Sequence, residues 1–276
     1  MSNKFSVLLS VYANDDPLHF DLALGSIFNS SVCPNEVLIV EDGPLSKDLH
    51  AVIEKYSKSY SKLVKILKNK KNIGLGKSLA KGINACAFEL VARMDADDIC
   101  HVDRFKKQLD VYSKHKELSI VGSNIDEYDG DMTVLLDTRY VPESNDEIIE
   151  YAKKRNPFNH VSVMMKKSDV LSAGGYQHMA YFEDYYLWCR MLSMSFKGYN
   201  IQESLVDVRC GDAMYKRRGG LSYARDIVKF QNAIHKLGFI GRNRKYSNIM
   251  IRLFVAISPL WLKSNIYKRH LRKRNK

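Results

Sequence analysis

A chain of 276 residues, 45% hydrophobic and 27% charged, can bury one substantial core with a small appendage and is too apolar to stay disordered. Its formal net charge of +12 admits nucleic acid, an anionic membrane or a phosphorylated small ligand, and the placement of the charge separates these better than its size. The five cysteines (Cys33, Cys86, Cys100, Cys189, Cys210) are odd in number and never closely paired, which excludes a disulfide framework and a zinc knuckle; with no leader pattern before polar Asn14, Asp15 and Asp16, the expected compartment is the cytoplasm.

The first part of the chain alternates β-branched runs with helical patterns. Strands are predicted at Phe5–Val11, Glu36–Glu41, Val64–Lys68 and Leu90–Met94. Between them, Pro17–Ser30 carries Leu18, Leu22, Leu24 and Phe28 near helical spacing, and Leu75–Phe88 repeats the pattern with Leu79, Ile83 and Phe88. This alternation predicts an α/β fold, a mostly parallel Rossmann-like sheet flanked by helices. Beyond Arg104 the pattern changes. A basic helix (Phe105–His115) precedes two strands, Ile120–Tyr128 and Thr133–Tyr140, joined by Asp129-Gly130-Asp131. A helix (Asn145–Lys154), a strand (Val161–Met165), a Gly174-Gly175 break and the helix Glu183–Ser193 follow. No repeat or long linker divides the chain.

Parallel strands bring their carboxyl ends to one edge, and ligands of such folds bind there. Those ends are Ser10-Val11-Tyr12, Glu41-Asp42-Gly43 and Asp95-Ala96-Asp97-Asp98. Carboxylates at i and i+2 leaving a strand project to the same side and can share a hard divalent cation, whose remaining ligands are typically water and substrate phosphates. A diphosphate is thereby implied. The competing use of Asp97 or Asp98 is to cap the helix that begins near His101. Asn72-Ile73-Gly74-Leu75-Gly76-Lys77 lacks the full spacing of a phosphate loop and suits a tight turn that opens a helix.

With Arg93-Met94-Asp95-Ala96-Asp97-Asp98, Asn72-Ile73-Gly74-Leu75-Gly76, Gly174-Gly175-Tyr176 and Glu183-Asp184-Tyr185-Tyr186-Leu187-Trp188, these strand ends resemble family 2 glycosyltransferases of GT-A fold, nearest in flavour to bacterial O-antigen and exopolysaccharide enzymes of the amylovoran type. The resemblance spans Phe5 to Gly220. It implies a GT-A domain over residues 1–220, with a nucleotide-sugar half (1–100) and an acceptor half (101–220), and a helical extension over 221–276. It implies that Asp42 accepts a hydrogen bond from uracil, that Ser10 and Tyr12 line the base and ribose pocket, and that Asn72 lies near the nucleotide. Asp95 is then placed against the ribose and the metal, and Asp97 on the Mn²⁺ or Mg²⁺ that bridges the donor diphosphate, alone or with Asp98. Asp184, rather than Glu183, becomes the general base of an inverting transfer of a hexose from a UDP-sugar. Arg209 and the run Lys216–Gly220, with Arg217 and Arg218, become a lid over the pyrophosphate. Each has a plainer use: Asp42 and Gly43-Pro44 as a turn, Tyr12 as a strand-end aromatic, the basic run as a solvated loop, Glu183 and Asp184 as favourable charges at a helix start. His160 fits a structural histidine better than an acceptor-side group.

No acidic residue occurs between Arg242 and Lys276. Within that stretch Ile249–Leu262 is apolar, but Arg252 and Pro259 interrupt it too early for a bilayer span. Two placements suit it: an interfacial anchor on the anionic inner face of a bacterial membrane, with Trp261 at the headgroups, or a last helix packed on the core. The anchor agrees with the acceptor the resemblance implies, a saccharide on a polyprenyl diphosphate. Two other classes fit the residues less well. A nucleotidyltransferase needs a glycine- and lysine-rich loop that Ser10–Asp16 lacks, and a nucleic-acid-binding protein explains the charge but not the converging acids.

Overall fold

The computed structural model describes residues 4–210 and 220–257. Arg217 and Arg218, with most of the basic run around them, and the apolar and basic stretch after Ile257 lie outside the described residues.

The four leading strands form where expected: β1 (Phe5–Val11), β2 (Glu36–Glu41), β3 (Val64–Lys68) and β4 (Leu90–Arg93). They lie side by side in the order β3-β2-β1-β4, all parallel. β1, β2 and β4 are buried on both faces, which is why they read as continuous apolar runs. Helix α1 (Pro17–Phe28) starts at Asp16, whose carboxylate accepts from the Leu18 and His19 amides, with Pro17 ready-shaped for the first turn. Helices α2 (Lys47–Ser59) and α3 (Leu75–Ala85) complete the βαβ units.

The second half departs from simple winding. After β5 (Ile99–Cys100) and α4 (Arg104–Lys114), the long β6 (Leu118–Tyr128) pairs with β7 (Leu135–Arg139). Helix α5 (Asn145–Ala152) opens on a capping box between Ser144 and Glu147. The expected strand Val161–Met165 is instead a 3₁₀ turn (His160–Ser162) followed by β8 (Met164–Lys166). The turn forms because the Ser162 amide and hydroxyl both donate to the Asn159 carbonyl. After α6 (Lys167–Ser172) and α7 (Glu183–Ser193) comes β9 (Lys197–Arg209), a strand the sequence pattern does not announce.

These strands extend the sheet as β4-β8-β6-β9-β5, in which only β6 and β9 are parallel. The sheet is therefore mixed, parallel from β3 to β4 and mainly antiparallel beyond β4. One core lies under α1, α2 and α4 and a second under α3, α6 and α7. A third cluster joins α7 to α8 (Gly220–Lys236), where Phe182 stacks on Phe230 and Tyr185 tilts against it. Helix α9 (Arg242–Ile257) runs beside α8, held by Asn248, which donates to the Lys153 carbonyl and to Gln231.

Candidate active site

Because β1, β2 and β4 run parallel, Tyr12, Asp42 and Asp95 follow strand ends on one edge of the sheet. Asp42 is 4% exposed, and its carboxylate is largely occupied. One oxygen accepts from the Ile73 amide (2.8 Å) and the Asn69 side chain (3.2 Å), the other from the Gly74 amide (2.9 Å). Three of about four lone-pair positions are thus filled by described residues. The loop can come this close because Gly43 has φ +98°, and a Cβ there would meet the Asn72 amide nitrogen at 2.6 Å. Asn72 is exposed on this loop, its side chain accepting from the Gly74 amide. The Ser10 hydroxyl donates to the Val40 carbonyl across β1 and β2, and Tyr12 stands open at the rim.

Past β4 the chain turns through Asp95, Asp97 and Asp98, whose ligand oxygens all lie within 4.8 Å of one another. Such an all-oxygen set fits a hard divalent cation, with Asp95 and Asp97 open to it and Asp98 buried. The helix-cap use of Asp98 is corrected: α4 begins at Arg104, and one Asp98 oxygen accepts from the Arg209 amide at 2.9 Å, fastening β9 beneath the turn. Desolvation and neighbouring carboxylates push both Asp97 and Asp98 above the ordinary carboxylate range. Asp15 belongs to the same field; burial, with Asp97 and Asp95 adding to it, raises it to about 7. The Arg209 guanidinium donates to the carbonyls of Asp97 and Gly130, so here it braces the turn instead of standing open over a phosphate.

Two buried arginines underlie the turn. Arg93 ion-pairs with Asp95, while its Nε and Nη1 have no hydrogen-bond partner among the described residues. Arg104 donates from Nη2 to the Arg93 carbonyl (2.7 Å), from Nε to Gln108, and touches the Met94 sulfur; Gln108 in turn donates to the carbonyls of Val121 and Ser162. This knot ties α4, β4 and β6 together below the carboxylates. Its signal in the sequence is a polar pair, Arg104 and Gln108, at i and i+4 on the stripe that also carries Phe105, Leu109 and Tyr112.

Helix α7 presents Glu183 and Asp184 in its first turn. The Asn156 side chain donates to one Asp184 oxygen at 2.5 Å, a partner no sequence motif marks. Glu183 lies over α3, and a Cβ on Gly76 would meet its Cγ at 2.6 Å, so Gly76 serves close helix approach. Burial pushes Glu183 up to about 7. His160 bonds the Tyr176 hydroxyl at 2.8 Å and packs edge-on against Trp188; burial and the Arg93 charge hold it neutral, the state of a structural histidine.

A mixed sheet whose parallel strands bring carboxylates to one edge, past the fourth strand, is the arrangement of the GT-A class of sugar-nucleotide transferases. Solved structures agree on the fold: Staphylococcus aureus TarS 1–349 in complex with UDP-GlcNAc superposes with a TM-score of 0.68 over 98% of this chain and 76% of that one at 14% identity. A Pyrobaculum calidifontis mannosyltransferase in complex with GDP-Man and Mn²⁺ gives 0.63 over 91% and 69% at 11% identity. Residues 11–177 match the glycosyl transferase family 2 model, and the chain belongs to that family. An Escherichia coli UDP-Gal:α-D-GlcNAc-diphosphoundecaprenol β-1,3-galactosyltransferase is 37% identical over 98% of this chain and 97% of its own length. The Erwinia amylovora amylovoran biosynthesis glycosyltransferase AmsE is 35% identical over 96% and 98%. The protein is a glycosyltransferase, and among the described residues no helix is long and apolar enough to cross a membrane.

Proposed function

We propose that this protein is a metal-dependent, inverting hexosyltransferase that moves a hexose from a UDP-sugar to a saccharide on a polyprenyl diphosphate in O-antigen or exopolysaccharide assembly, working at the inner face of a bacterial cytoplasmic membrane. The observation that carries it is the Asp95, Asp97 and Asp98 cluster at the parallel edge of the sheet. The full-length relative named for UDP-Gal and a GlcNAc-diphosphoundecaprenol supports the donor and the acceptor.

Asp95 and Asp97, with Asp98 behind them, would hold Mn²⁺ or Mg²⁺, which when bound offsets charge on the donor diphosphate. The Arg93 ion pair keeps the Asp95 carboxylate oriented toward that site. Asp42, Ser10, Tyr12 and Asn72 flank the edge where the nucleotide would lie, and Arg217 and Arg218 are proposed as its lid. Asn156 fixes one Asp184 oxygen, and the other is proposed to take the proton of an acceptor hydroxyl. As the acceptor oxygen bonds to the anomeric carbon from the face opposite UDP, the bond from that carbon to UDP breaks, UDP leaves with the electron pair, and the configuration inverts. A carboxylate is a weak base, so positioning supplies most of the advantage.

The test is UDP release from UDP-glucose, UDP-galactose and their N-acetyl forms, with a synthetic GlcNAc-diphosphate lipid acceptor, with and without Mn²⁺. One donor should respond to acceptor and metal together; equal release with no acceptor dependence for any donor would remove the proposal.

A further inference from the structure

Helix α9 has a packed side and an exposed one. Its inner side packs on the protein: Asn248 and Arg252 donate to the carbonyls of Lys153 and Lys154, and the Arg252 guanidinium lies 5.7 Å from the ring centres of both Phe182 and Tyr185. Its outer side carries Tyr246, Met250, Ile251 and Phe254, which are 55%, 72%, 62% and 60% exposed. At about 100° per residue these four fall within an arc of roughly 140°, so they form one continuous face.

Charge identifies what meets it. From Arg242 to Lys276 the sequence holds eleven Lys and Arg and no Asp or Glu, so nearly all of the net +12 resides in this segment. Three of the eleven, Arg242, Arg244 and Lys245, stand in the first turn of α9. A second copy of the chain would bring like charge against like, whereas an anionic surface is complementary. An apolar arc beside basic residues, on a helix whose described residues are not long and apolar enough to cross a membrane, is the pattern of a helix lying in a membrane interface.

We propose that the outer face of α9 is the lipid-contact surface of this protein, with Tyr246, Met250, Ile251 and Phe254 entering the headgroup boundary of an anionic bilayer. Docking there also fixes the enzyme's orientation. Arg252 on the inner side of α9 stacks on Phe182 and Tyr185, the residues flanking Glu183 and Asp184, so the helix that meets lipid is packed directly on the start of α7. The orientation rests on the proposed lipid-linked acceptor; the lipid contact itself does not.

The experiment is flotation of the full chain with phosphatidylcholine vesicles, with or without roughly one-third phosphatidylglycerol. Wild type should float only with the anionic vesicles. Met250→Ser/Phe254→Ser should bind at least about tenfold more weakly, since burying one such side chain contributes about a factor of ten or more. Arg242→Glu/Arg244→Glu should also weaken binding, and salt should weaken wild type. Both variants should keep wild-type melting temperature and wild-type hydrolysis of the UDP-sugar in detergent-free buffer. Wild-type flotation by the apolar double variant overturns the proposal, as does wild type failing to float. Loss of a dimer in sedimentation, with flotation unchanged, assigns the face to a second copy and overturns it too. Flotation as expected with no transfer to any lipid-linked acceptor would leave the docking face standing and reject the proposed acceptor.

Discussion

Replacing Asp97 by asparagine should stabilise the metal-free protein and abolish its stabilisation by Mn²⁺. The ligand oxygens of Asp95, Asp97 and Asp98 lie within 4.8 Å of one another. Two unit charges at that spacing repel by about 3 kcal/mol at an effective dielectric of 20. Arg93 offsets part of this through Asp95, and Asp97 opens to water, so about 1 kcal/mol survives. That corresponds to roughly 2 °C in melting temperature for a chain of this size. The sign follows from the raised Asp97: an acid held above its ordinary value in the folded state costs stability increasingly as pH climbs from that ordinary value toward the raised one. The variant's advantage should therefore be present near neutral pH and vanish in acid. For wild type, Mn²⁺ at a hundredfold its dissociation constant adds about 2.7 kcal/mol. Thermal melts with and without Mn²⁺ read both effects. A variant that melts several degrees below wild type without metal, or that still gains stability from Mn²⁺, refutes the reasoning.

Arg104→Met keeps the side-chain bulk but leaves the Arg93 carbonyl without its donor; the expected loss is about 2–4 kcal/mol, with a raised KM for the donor as the end of β4 loosens, measured by denaturation and steady-state kinetics. Gly82→Ala places a Cβ 2.4 Å from Leu8 Cδ1 and 3.1 Å from Val40 Cγ2, between α3 and the sheet, and should cost about 1–3 kcal/mol in urea unfolding. Glu183, raised from its ordinary 4.5 to about 7, makes the folded state lose stability as pH rises through that interval. Glu183→Gln should flatten that part of the stability profile, and an unchanged slope would show that Glu183 is not the group responsible.

Much of the leading parallel half was legible because each of its structures has a one-dimensional signature. β1, β2 and β3 begin and end where the apolar runs do, and α7 occupies Glu183–Ser193 as its acidic start and apolar spacing suggest. Elements whose stability comes from distant partners were not. The sequence of β9, Lys-Gly-Tyr-Asn-Ile-Gln-Glu-Ser-Leu-Val-Asp-Val-Arg, has polar residues throughout, and its pairing with β6 shifts register more than once, so no regular alternation marks it. β5 has two residues and exists through its pairing with β9. The same division holds in the site. The carboxylates after β4 announce themselves by spacing, whereas Asp15, Asn156 and Arg104 act through contacts made across the chain. The resemblance gives Arg209 a part in the lid; its guanidinium is engaged by two carbonyls that only the folded turn supplies.

The central claim, that Asp184 takes the acceptor proton at a donor site built by the other carboxylates, is tested most directly by Asp184→Asn. UDP binding measured by calorimetry with Mn²⁺ should match wild type, while transfer to the GlcNAc-diphosphate lipid should fall by at least about a hundredfold, the lower end of what a positioned base contributes. Transfer at the wild-type rate, or loss of UDP binding in step with transfer, would contradict the account.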